Sequence, residues 1–434
     1  MTEVTVRRTE KLKGEVYAPP SKAYTQRMLI AAALSSGTSE ITAPLRSEDT
    51  EATLRAIKAL GAKVTAKDDC WTVTGAKPLK GAEEPVDCGE SGATLRFMIP
   101  VAALAAEPSV FVLGSSLEQR PLAPLLNSLK QLGAEANIQR LGGKMSVHVR
   151  GGGVAGGQAA IRGDVSSQFV SGLMFACPKA RVDTEITLTT PLESKGYVQM
   201  TRDVLTQHSV KVSLSDGFSR LHIPSNQVYK PCDHKVPGDF SSAAFLLAAA
   251  AFTHSEVRIK NLDCETAQGD KAIVDILKQM GATMHVRSNQ IEIAGNGSSL
   301  DAVDVNARDI PDLVPVCAVL ACYARGTSVI HDAQRLRYKE SDRLLSLHLE
   351  LKKMGAEIAM DESRLTVKGP CALRGCTVDP HNDHRIAMAC AVAALGASGE
   401  TTIQHAECIR KSYPRFFNDL RVLGADVSGG ELNR

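Results

Sequence analysis

IVDILKQMGATM, at residues 273–284, is the stretch of sequence that decides the fold. Its apolar residues recur at the spacing of an amphipathic helix, and the run ends in Gly-Ala before a short β-like stretch. A glycine just past such a run is typical of a left-handed helix C-cap. The same pattern occurs five times, with its glycine at Gly61, Gly133, Gly281, Gly355 and Gly424. A sixth, degenerate copy at residues 203–212 has Ser209 at the glycine position.

The six positions lie 69–76 residues apart, which predicts a repeated supersecondary unit. Each is preceded by a second segment that is apolar nearly all round, such as SSAAFLLAAAAF at residues 241–252. A helix of that kind should be buried. Each repeat is therefore predicted to contain one buried helix, one amphipathic helix and several short strands. The length of 434 residues suggests two domains of three repeats, divided within the proline-containing segment 223–240.

The composition excludes several classes of protein. The net charge of +2 and the aromatic content of 4% argue against a nucleic-acid-binding protein. The N-terminal residues lack the apolar core of a signal peptide, and the longest apolar run, residues 243–252, is too short for a membrane span. Eleven cysteines are scattered without a CxxC pair, so we expect reduced thiols and a cytoplasmic enzyme.

Polar clusters recur at the start of both helices of the repeat. The clusters before the buried helices are Ser21, Lys22 and Arg27; Gly89 to Arg96; Ser166, Ser167 and Gln168; Asp239, Ser241 and Ser242; Asp309 and Asp312; and Asp383, His384 and Arg385. Those at the start of the amphipathic helices are Asp49, Arg120, Tyr197, Lys339, Glu340, Arg343 and Lys411. Equivalent positions of a repeat share one face, where helix N-termini and cations favour anions. The pattern predicts binding of a small, multiply charged anion.

Simpler interpretations exist for several of these residues. Ser241, Ser242 and Asp49 are interpreted as plain helix N-caps. The arginines beside apolar helices need either an anionic ligand or a protein carboxylate, and Glu90 is a candidate partner for Arg96.

A metal site can be imagined from two histidines and two aspartates of one segment. These residues are Asp379, His381, Asp383 and His384. They do not form a firm ligand set, so no metal is expected.

The clusters carry a resemblance to a known family. In chain order, the segments PPSKAYTQR, GESGATLR, RPLAPL, GDVSSQF, VPGDFSSAAF, IPDLVPV, LRYKESDR, DPHNDHRIAMA and KSYP resemble motifs of 5-enolpyruvylshikimate-3-phosphate synthases, enolpyruvyl transferases. The resemblance implies two inverse α/β domains of three βαβαββ units each. The expected lobes are residues 20–235 and residues 1–19 plus 236–434.

The resemblance also implies the reaction and the residues. The enzyme would transfer the carboxyvinyl group of phosphoenolpyruvate to the 5-hydroxyl of shikimate 3-phosphate through a tetrahedral ketal. It would act as a monomer on these small molecules, without a metal or organic cofactor. Phosphoenolpyruvate would be bound by Lys22, Gly92, Arg120, Gln168, Arg343, Arg385 and Lys411. Shikimate 3-phosphate would be bound by Lys22, Ala23, Arg27, Ser166, Ser167, Gln168, Ser194, Tyr197, Asp312 and Lys339.

The implied catalytic residues are two carboxylates and a lysine. Asp312 would accept the proton of the attacking hydroxyl, and Glu340 would protonate the methylene carbon, assisted by Lys22. Arg96 is interpreted as structural support. The chain departs from the family pattern at Ala23, in the loop from Gly89 to Ala93, and at Arg335.

Two rival interpretations remain open. One is enolpyruvyl transfer to UDP-N-acetylglucosamine, whose family carries a reactive cysteine in a loop that here reads VLGSSLEQRP and has none. The other is a non-catalytic anion-binding paralogue, against which the presence of Lys22, Asp312 and Glu340 argues.

Overall fold

The computed structural model describes residues 2–297 and 300–430. These residues divide into two compact units. The N-terminal unit is Pro20–Val236. The C-terminal unit combines the described residues up to Pro19 with those from Pro237 onwards.

The described residues form thirteen α-helices. In the N-terminal unit they are α1 Lys22–Ala33, α2 Glu48–Ala59, α3 Gly92–Ala102, α4 Ser115–Glu118, α5 Ala123–Gln131, α6 Ser167–Ala176 and α7 Lys195–Gln207. In the C-terminal unit they are α8 Phe240–Phe252, α9 Ile273–Gln279, α10 Val314–Tyr323, α11 Arg343–Lys353, α12 His384–Gly396 and α13 Phe416–Val422.

Short strands make up the sheets. The strands from the chain start are β1 Val4–Arg7 and β2 Lys11–Tyr17. The N-terminal unit contains β3 Thr38–Thr42, β4 Lys63–Ala66, β5 Cys70–Thr74, β6 Val86–Asp87, β7 Ser109–Val112, β8 Ala136–Leu141, β9 Lys144–Val149, β10 Gly157–Ile161, β11 Thr184–Leu188, β12 Ser213–Leu214, β13 Arg220–Ile223 and β14 His234–Lys235. The rest are β15 His254–Lys260, β16 Thr283–Arg287, β17 Gln290–Asn296, β18 Leu300–Asp301, β19 Asp304–Asn306, β20 Ala324–His331, β21 Glu357–Met360, β22 Leu365–Gly369, β23 Thr377–Val378, β24 Glu400–Ile403 and β25 Val427–Gly429.

One strand topology is repeated in all six sheets of the described chain. In the second sheet, β6 pairs parallel to β7 with Val86 opposite Phe111, β9 pairs antiparallel to β7, and β8 lies outside β9. The sheets of the N-terminal unit have the orders β14-β3-β5-β4, β6-β7-β9-β8 and β10-β11-β13-β12. Those of the C-terminal unit are β16-β17-β15-β2, β18-β20-β22-β21 with β19 also on β20, and β23-β24-β1-β25. The predicted α/β fold of six repeats, three in each unit, is confirmed.

The predicted buried helices form the interior. In the C-terminal unit α8, α10 and α12 pack against one another, and every residue of α8 except Phe252 is buried. Side chains from α13 fill the same core, where the rings of Phe245 and Phe416 meet edge to face at 6.2 Å. Helices without a polar face must be enclosed in this way. No helix of the described chain is long and apolar enough to cross a membrane.

The Gly-Ala position ends the amphipathic helix in every repeat. At Gly281, φ is +88°, the glycine N–H donates to Lys278, and the N–H of Ala282 donates back to Leu277. This pair of bonds is a Schellman C-cap, which requires a left-handed residue. The degenerate copy keeps the geometry: Ser209 has φ +63°, and Val210 donates to the carbonyl of Leu205. The predicted C-cap is therefore confirmed even where glycine is missing.

The segment after β13 is not a free linker. The hydroxyl of Tyr229, which is fully buried, donates to the carbonyl of Phe175 at 2.7 Å, and β14 adds a strand parallel to β3. The proline-containing segment predicted to separate the domains therefore completes the first sheet of the N-terminal unit before the chain crosses to the C-terminal unit.

A buried histidine pair holds β14 to α7. His208 Nδ1 lies 2.6 Å from the carbonyl oxygen of Lys230, so this nitrogen carries the hydrogen. His208 Nε2 must then accept from His234 Nε2, 2.8 Å away. Both rings are thus neutral, and burial lowers both pKa values, that of His234 to about 4 with a further contribution from His208.

Replacing Ser209 by glycine should stabilise the protein. A left-handed conformation costs a non-glycine residue about 1 kcal/mol, and glycine removes that cost. The expected result is a higher urea midpoint for Ser209→Gly. Gly281→Ser is the matched control, because a Cβ there meets nothing within 4 Å and only the φ of +88° is strained; its midpoint should fall. A lower midpoint for Ser209→Gly would contradict the cap assignment.

Acid should unfold the protein partly through the histidine pair. The folded pKa of His234 lies below the unfolded value near 6.5, so the unfolded chain binds more protons between about pH 6.5 and 4. The free energy of unfolding should therefore fall as pH is lowered through this window. His234→Gln keeps an N–H donor for His208 but removes one titrating group, so its slope against pH should be shallower. Identical slopes for the two proteins would refute the assignment.

Candidate active site

Capping residues distinguish the two units at the starts of their buried helices. In the N-terminal unit the caps are neutral: Ser21 accepts from the N–H of Tyr24 at 3.4 Å, and Ser91 and Ser166 cap α3 and α6. In the C-terminal unit Asp239 and Asp383 cap α8 and α12. A carboxylate neutralises the positive end of a helix, whereas a serine leaves it available to an anion.

Arg343 organises the C-terminal unit. Its guanidinium, 1% exposed, donates from Nε to Asp383 Oδ2 at 2.7 Å, from Nη1 to Asp312 Oδ1 at 2.7 Å and from Nη2 to Glu340 Oε2 at 2.6 Å. Burial opposes the charge, but Asp383, Glu340 and Asp312 together raise the pKa of Arg343 well above its ordinary value. One buried cation therefore brings together both carboxylates that the sequence predicts to be catalytic.

The three carboxylates that pair with Arg343 differ in solvent exposure. The side chain of Asp383 is 0% exposed, and its Oδ1 also accepts from the N–H of Arg385 as the cap of α12. The side chains of Asp312 and Glu340 remain 15% and 14% exposed. Asp383 is consequently fixed as a structural partner, while the other two carboxylates are accessible to a bound molecule.

Three further predicted cations lie around this centre. Arg385 donates from Nη2 to Asp312 Oδ2 at 3.2 Å, and Lys339 lies 3.6 Å from the other oxygen of Asp312. Burial lowers the pKa of Lys339 to about 8, although Asp312 opposes the shift. Lys411, which is buried, donates to the carbonyl of Asn382 at 2.6 Å. The C-terminal unit thus assembles Arg343, Arg385, Lys339 and Lys411 with Asp312 and Glu340.

Asp270 belongs to the same cluster but is absent from the sequence prediction. It is buried, accepts a hydrogen bond from the Ser241 hydroxyl, and lies in the field of Asp312 and Arg385. Burial, followed by repulsion from Asp312, raises its pKa to about 7. Asp270 precedes Gly281 by 11 residues, one residue short of the smallest offset, 12, at which the other amphipathic helices carry predicted site residues. Searching the fourth repeat one residue closer to its glycine would have found it.

Two N-cap interpretations are wrong. Asp239, not Ser241 or Ser242, caps α8 with its carboxylate, because Oδ1 accepts from the N–H of Ser241 at 2.9 Å. Similarly, Ser47 caps α2. The carboxylate of Asp49 instead accepts from Lys22 Nζ at 2.9 Å.

Arg27 is a buried cation of the N-terminal unit. It is 2% exposed and donates to Thr201 Oγ1 at 2.8 Å and to the carbonyls of Ala23 and Tyr197 at 2.9 and 3.1 Å. Within residues 2–297 and 300–430 no carboxylate pairs with it. Its guanidinium lies 5.1 Å from the ring centre of Phe97, and burial lowers its pKa to about 10. A buried cation without a carboxylate favours an anionic ligand.

Arginines also converge at the N-terminus of α3. Arg96 donates to Gln168 Oε1 at 2.8 Å, and a Cβ on Gly92 would lie 3.0 Å from Arg120 Nη1 and 3.5 Å from Arg96 Nη1. Glycine at this position leaves room for Arg120 in particular to approach the helix start. The suggested partner of Arg96 is wrong: Glu90 accepts hydrogen bonds from the Ser115 and Ser116 hydroxyls and from the N–H of Ser116.

The remaining predicted positions lie at helix starts of the same unit. Ser166 caps α6, Ser167 is its first residue, and Ser194 precedes α7 with φ +56°. Tyr197 lies in the first turn of α7 and accepts from Arg27 through its carbonyl. The structure therefore brings Arg27, Ala23 and Tyr197 together.

Two residues of the imagined metal site, His381 and Asp383, have other partners. His381 Nε2 lies 3.0 Å from Glu350 Oε1, while Asp383 is occupied by Arg343. Within the part of the chain that the structure describes, no group of three or more His, Cys, Asp or Glu residues is arranged to hold a metal ion.

Comparison with known proteins shows the family of the chain. A model of the EPSP synthase (3-phosphoshikimate 1-carboxyvinyltransferase) family matches residues 6–420. The chain belongs to the EPSP synthase family.

Relatives and solved structures extend this similarity across the chain. A 3-phosphoshikimate 1-carboxyvinyltransferase from Methanocaldococcus jannaschii is 41% identical over 97% of this chain and 98% of its own length. One from Methanocorpusculum labreanum is 43% identical over 96% and 97%. A solved EPSP synthase from Acinetobacter baumannii covers 99% of this chain and 100% of its own at 25% identity, with a TM-score of 0.82.

Asp270 should make anion binding depend on pH. Below its pKa of about 7 the carboxyl is neutral, and above it a negative charge appears beside Arg385. The affinity for phosphoenolpyruvate should therefore fall between pH 6 and 8 more steeply in the wild type than in Asp270→Asn, by about 3-fold or more. Isothermal titration calorimetry measures this difference. Asp275→Asn, an exposed change of equal charge nearby, is the control; if Asp270→Asn follows the same pH curve as the control, Asp270 does not face the anion.

Proposed function

We propose that this chain transfers the carboxyvinyl group of phosphoenolpyruvate to the 5-hydroxyl of shikimate 3-phosphate, releasing phosphate. The names of relatives up to 43% identical over nearly the whole chain support this activity. The observation that carries the proposal is Arg343, which holds Asp312 and Glu340 together at accessible positions. Enolpyruvyl transfer needs both an acid and a base, and the two carboxylates paired with Arg343 can supply them.

Phosphoenolpyruvate is assigned chiefly to five cations, Lys22, Arg120, Arg343, Arg385 and Lys411. Its phosphate and carboxylate carry up to three negative charges, which need several charge-assisted hydrogen bonds. Arg343 and Arg385 can offer these because Asp312 and Glu340, their present partners, can exchange for ligand oxygens while Asp383 stays bound. The other residues assigned to this substrate are Gly92 and Gln168.

Shikimate 3-phosphate is assigned chiefly to residues around Arg27. The buried guanidinium has hydroxyl and carbonyl partners only, and an anion would offset its desolvation. The serine caps leave the N-terminal ends of α1 and α6 positive, which suits a phosphate. The remaining residues assigned to this substrate are Lys22, Ala23, Ser166, Ser167, Gln168, Ser194, Tyr197, Asp312 and Lys339.

Two proton transfers define the first step. The double bond of phosphoenolpyruvate becomes electrophilic at its central carbon only when the methylene carbon takes a proton, which Glu340 supplies. Asp312 takes the proton of the 5-hydroxyl as its oxygen bonds to the central carbon. The nearby positive charges of Arg343 and Arg385 favour the ionised form of Asp312, which can then act as a base.

In the second step a proton is removed from the carbon that was protonated in the first. The tetrahedral ketal breaks its bond to the phosphate oxygen while the methyl group returns a proton, which restores the double bond. Phosphate leaves with its charge balanced by the surrounding cations. Lys22 assists as a cation or proton donor near the reacting groups, and its pairing with Asp49 at 2.9 Å keeps it oriented.

The finer properties of the enzyme complete the proposal. We place it in the cytoplasm as a monomer that uses no metal or organic cofactor and has no nucleic-acid or membrane partner. All eleven cysteines are free thiols, which supports a reducing compartment.

Phosphate release tests the activity directly. Purified protein should release phosphate from phosphoenolpyruvate only when shikimate 3-phosphate is also present. Release with UDP-N-acetylglucosamine instead would identify the other transferase, and tight binding of both substrates without release would identify a non-catalytic paralogue.

Asp312→Asn should separate catalysis from binding. The amide cannot accept the hydroxyl proton, so kcat should fall by about 100-fold or more. Both substrates should still bind, as measured by calorimetry. Asp304→Asn, an exposed aspartate of the same repeat, is the control and should keep full activity. Turnover of Asp312→Asn near the wild-type rate would exclude Asp312 as the base.

Lys411→Ala should affect the two substrates unequally. Loss of this buried ammonium should weaken phosphoenolpyruvate binding by about 10-fold or more and leave shikimate 3-phosphate binding nearly unchanged. Arg410→Ala removes an adjacent, exposed cation and should change neither dissociation constant. Equal weakening of both substrates by Lys411→Ala would mean that the residue has been assigned to the wrong ligand.

A further inference from the structure

Two cysteines of the fifth repeat are held against each other. Cys322 lies in the last turn of α10, and Cys371 follows the end of β22. The backbone N–H of Cys371 donates to the carbonyl of Cys322 at 2.7 Å. Each thiol also shifts the pKa of the other: the pKa of Cys322 is raised and that of Cys371 lowered, in each case chiefly through the partner side chain. Backbone and side chains therefore both join residues that are 49 positions apart in the sequence.

This arrangement meets the geometric needs of a disulfide. A direct backbone hydrogen bond sets the two α-carbons roughly 5 to 6.5 Å apart. Disulfides span α-carbon separations of about 4.4–6.8 Å. The backbone separation therefore already suits a bond between the two sulfurs, which requires little movement of the backbone.

The two thiols differ in reactivity and access. Cys322 is fully buried, whereas Cys371 is partly exposed. The neighbouring Cys322 side chain lowers the pKa of Cys371 to about 6, and the N–H of Glu357 donates to the Cys371 sulfur at 3.4 Å. The Cys371 side chain in turn raises the pKa of Cys322. At neutral pH Cys371 is therefore the accessible thiolate, although its protonated form can donate to the carbonyl of Lys368 at 3.2 Å.

Two other partly exposed cysteines, Cys264 and Cys376, lack this combination. Burial raises the pKa of Cys376 and of Cys264, which keeps both as thiols at neutral pH. Cys264 hydrogen-bonds to a backbone carbonyl rather than to another sulfur. Cys376 is therefore a suitable internal control for Cys371.

We propose that Cys322 and Cys371 form a redox pair that a peroxide closes to a reversible disulfide. The Cys371 thiolate attacks one oxygen of hydrogen peroxide, the O–O bond breaks, and the departing hydroxide takes a proton to become water. The Cys322 sulfur then attacks the Cys371 sulfur, and the S–O bond breaks. The hydroxyl leaves with the Cys322 proton as a second water. Two thiols lose two electrons and the peroxide gains them.

Closing this disulfide should leave the catalytic centre intact. The pair lies at the C-terminal end of α10, whereas Asp312 precedes its N-terminal end. The ten residues of the helix separate these ends by about 15 Å. The disulfide would join the end of α10 to the end of β22 and so add a cross-link within one repeat.

Peroxide treatment followed by mass spectrometry tests the proposal. The full-length reduced protein is exposed to one equivalent of hydrogen peroxide, alkylated with N-ethylmaleimide and digested under non-reducing conditions. The expected product is a Cys322–Cys371 linked peptide, lighter than its parts by about 2 Da and released by dithiothreitol. Cys371 should lose its alkylation about 10-fold faster than Cys376.

Two matched variants make the result decisive. Cys371→Ser should abolish the linked peptide and leave Cys322 reduced, and Cys376→Ser should form the link as the wild type does. The oxidised wild type should also show a higher thermal midpoint than the reduced protein. Oxidation of Cys371 to sulfinic acid with Cys322 still alkylatable after unfolding, or oxidation of Cys376 at an equal rate, would overturn the proposal.

Discussion

The buried guanidinium of Arg343 is the interaction on which the C-terminal unit depends. It joins three elements: Asp312 ahead of α10, Glu340 in the turn before α11, and Asp383 at the cap of α12. Removing one partner of a buried ion pair costs about 3–5 kcal/mol, because the other charge stays buried and unpaired. The network therefore fixes the positions of two helix starts as well as the two carboxylates assigned to proton transfer.

Arg343 also explains how one cation can serve both stability and chemistry. Asp383 is inaccessible, so its bond to Arg343 would keep the guanidinium oriented during the proposed exchange of the other carboxylates for ligand oxygens. Asp312 and Glu340 are accessible and sit on opposite arms of the same group. A base and an acid can then operate side by side without either being left as an isolated buried charge.

The two units present positive charge in different ways. Serine caps in the N-terminal unit leave the helix ends positive around Arg27, a buried cation without a carboxylate partner in the described chain. Aspartate caps in the C-terminal unit neutralise the helix ends, and the positive charge comes from arginine and lysine side chains instead. This difference favours phosphate binding in the first unit and proton transfer in the second.

Much of this architecture can be predicted from the sequence, because the same pattern of helices and strands occurs six times. Each amphipathic helix ends in a C-cap that requires one left-handed residue. Glycine occupies this position in five repeats, and Ser209 adopts the same conformation in the sixth. Strands β1, β2 and β14 could not be placed in the same way, because they complete sheets of repeats distant in sequence.

Side-chain partners were harder to predict than helices. Whether Asp239 or Ser241 caps α8 depends on a difference of two residues in where the helix begins, and Glu90 bonds to nearby serines instead of Arg96. The sequence gives the charge of such groups but not the direction in which they point.

The most direct test follows the proton that Glu340 is proposed to transfer. The reaction is run in deuterium oxide, and the enolpyruvyl methylene of the product and of recovered phosphoenolpyruvate is examined by mass spectrometry. Protonation of that carbon by Glu340 predicts deuterium in the wild-type products and almost none with Glu340→Gln. Deuterium at the wild-type level with Glu340→Gln would contradict the assignment of acid and base around Arg343.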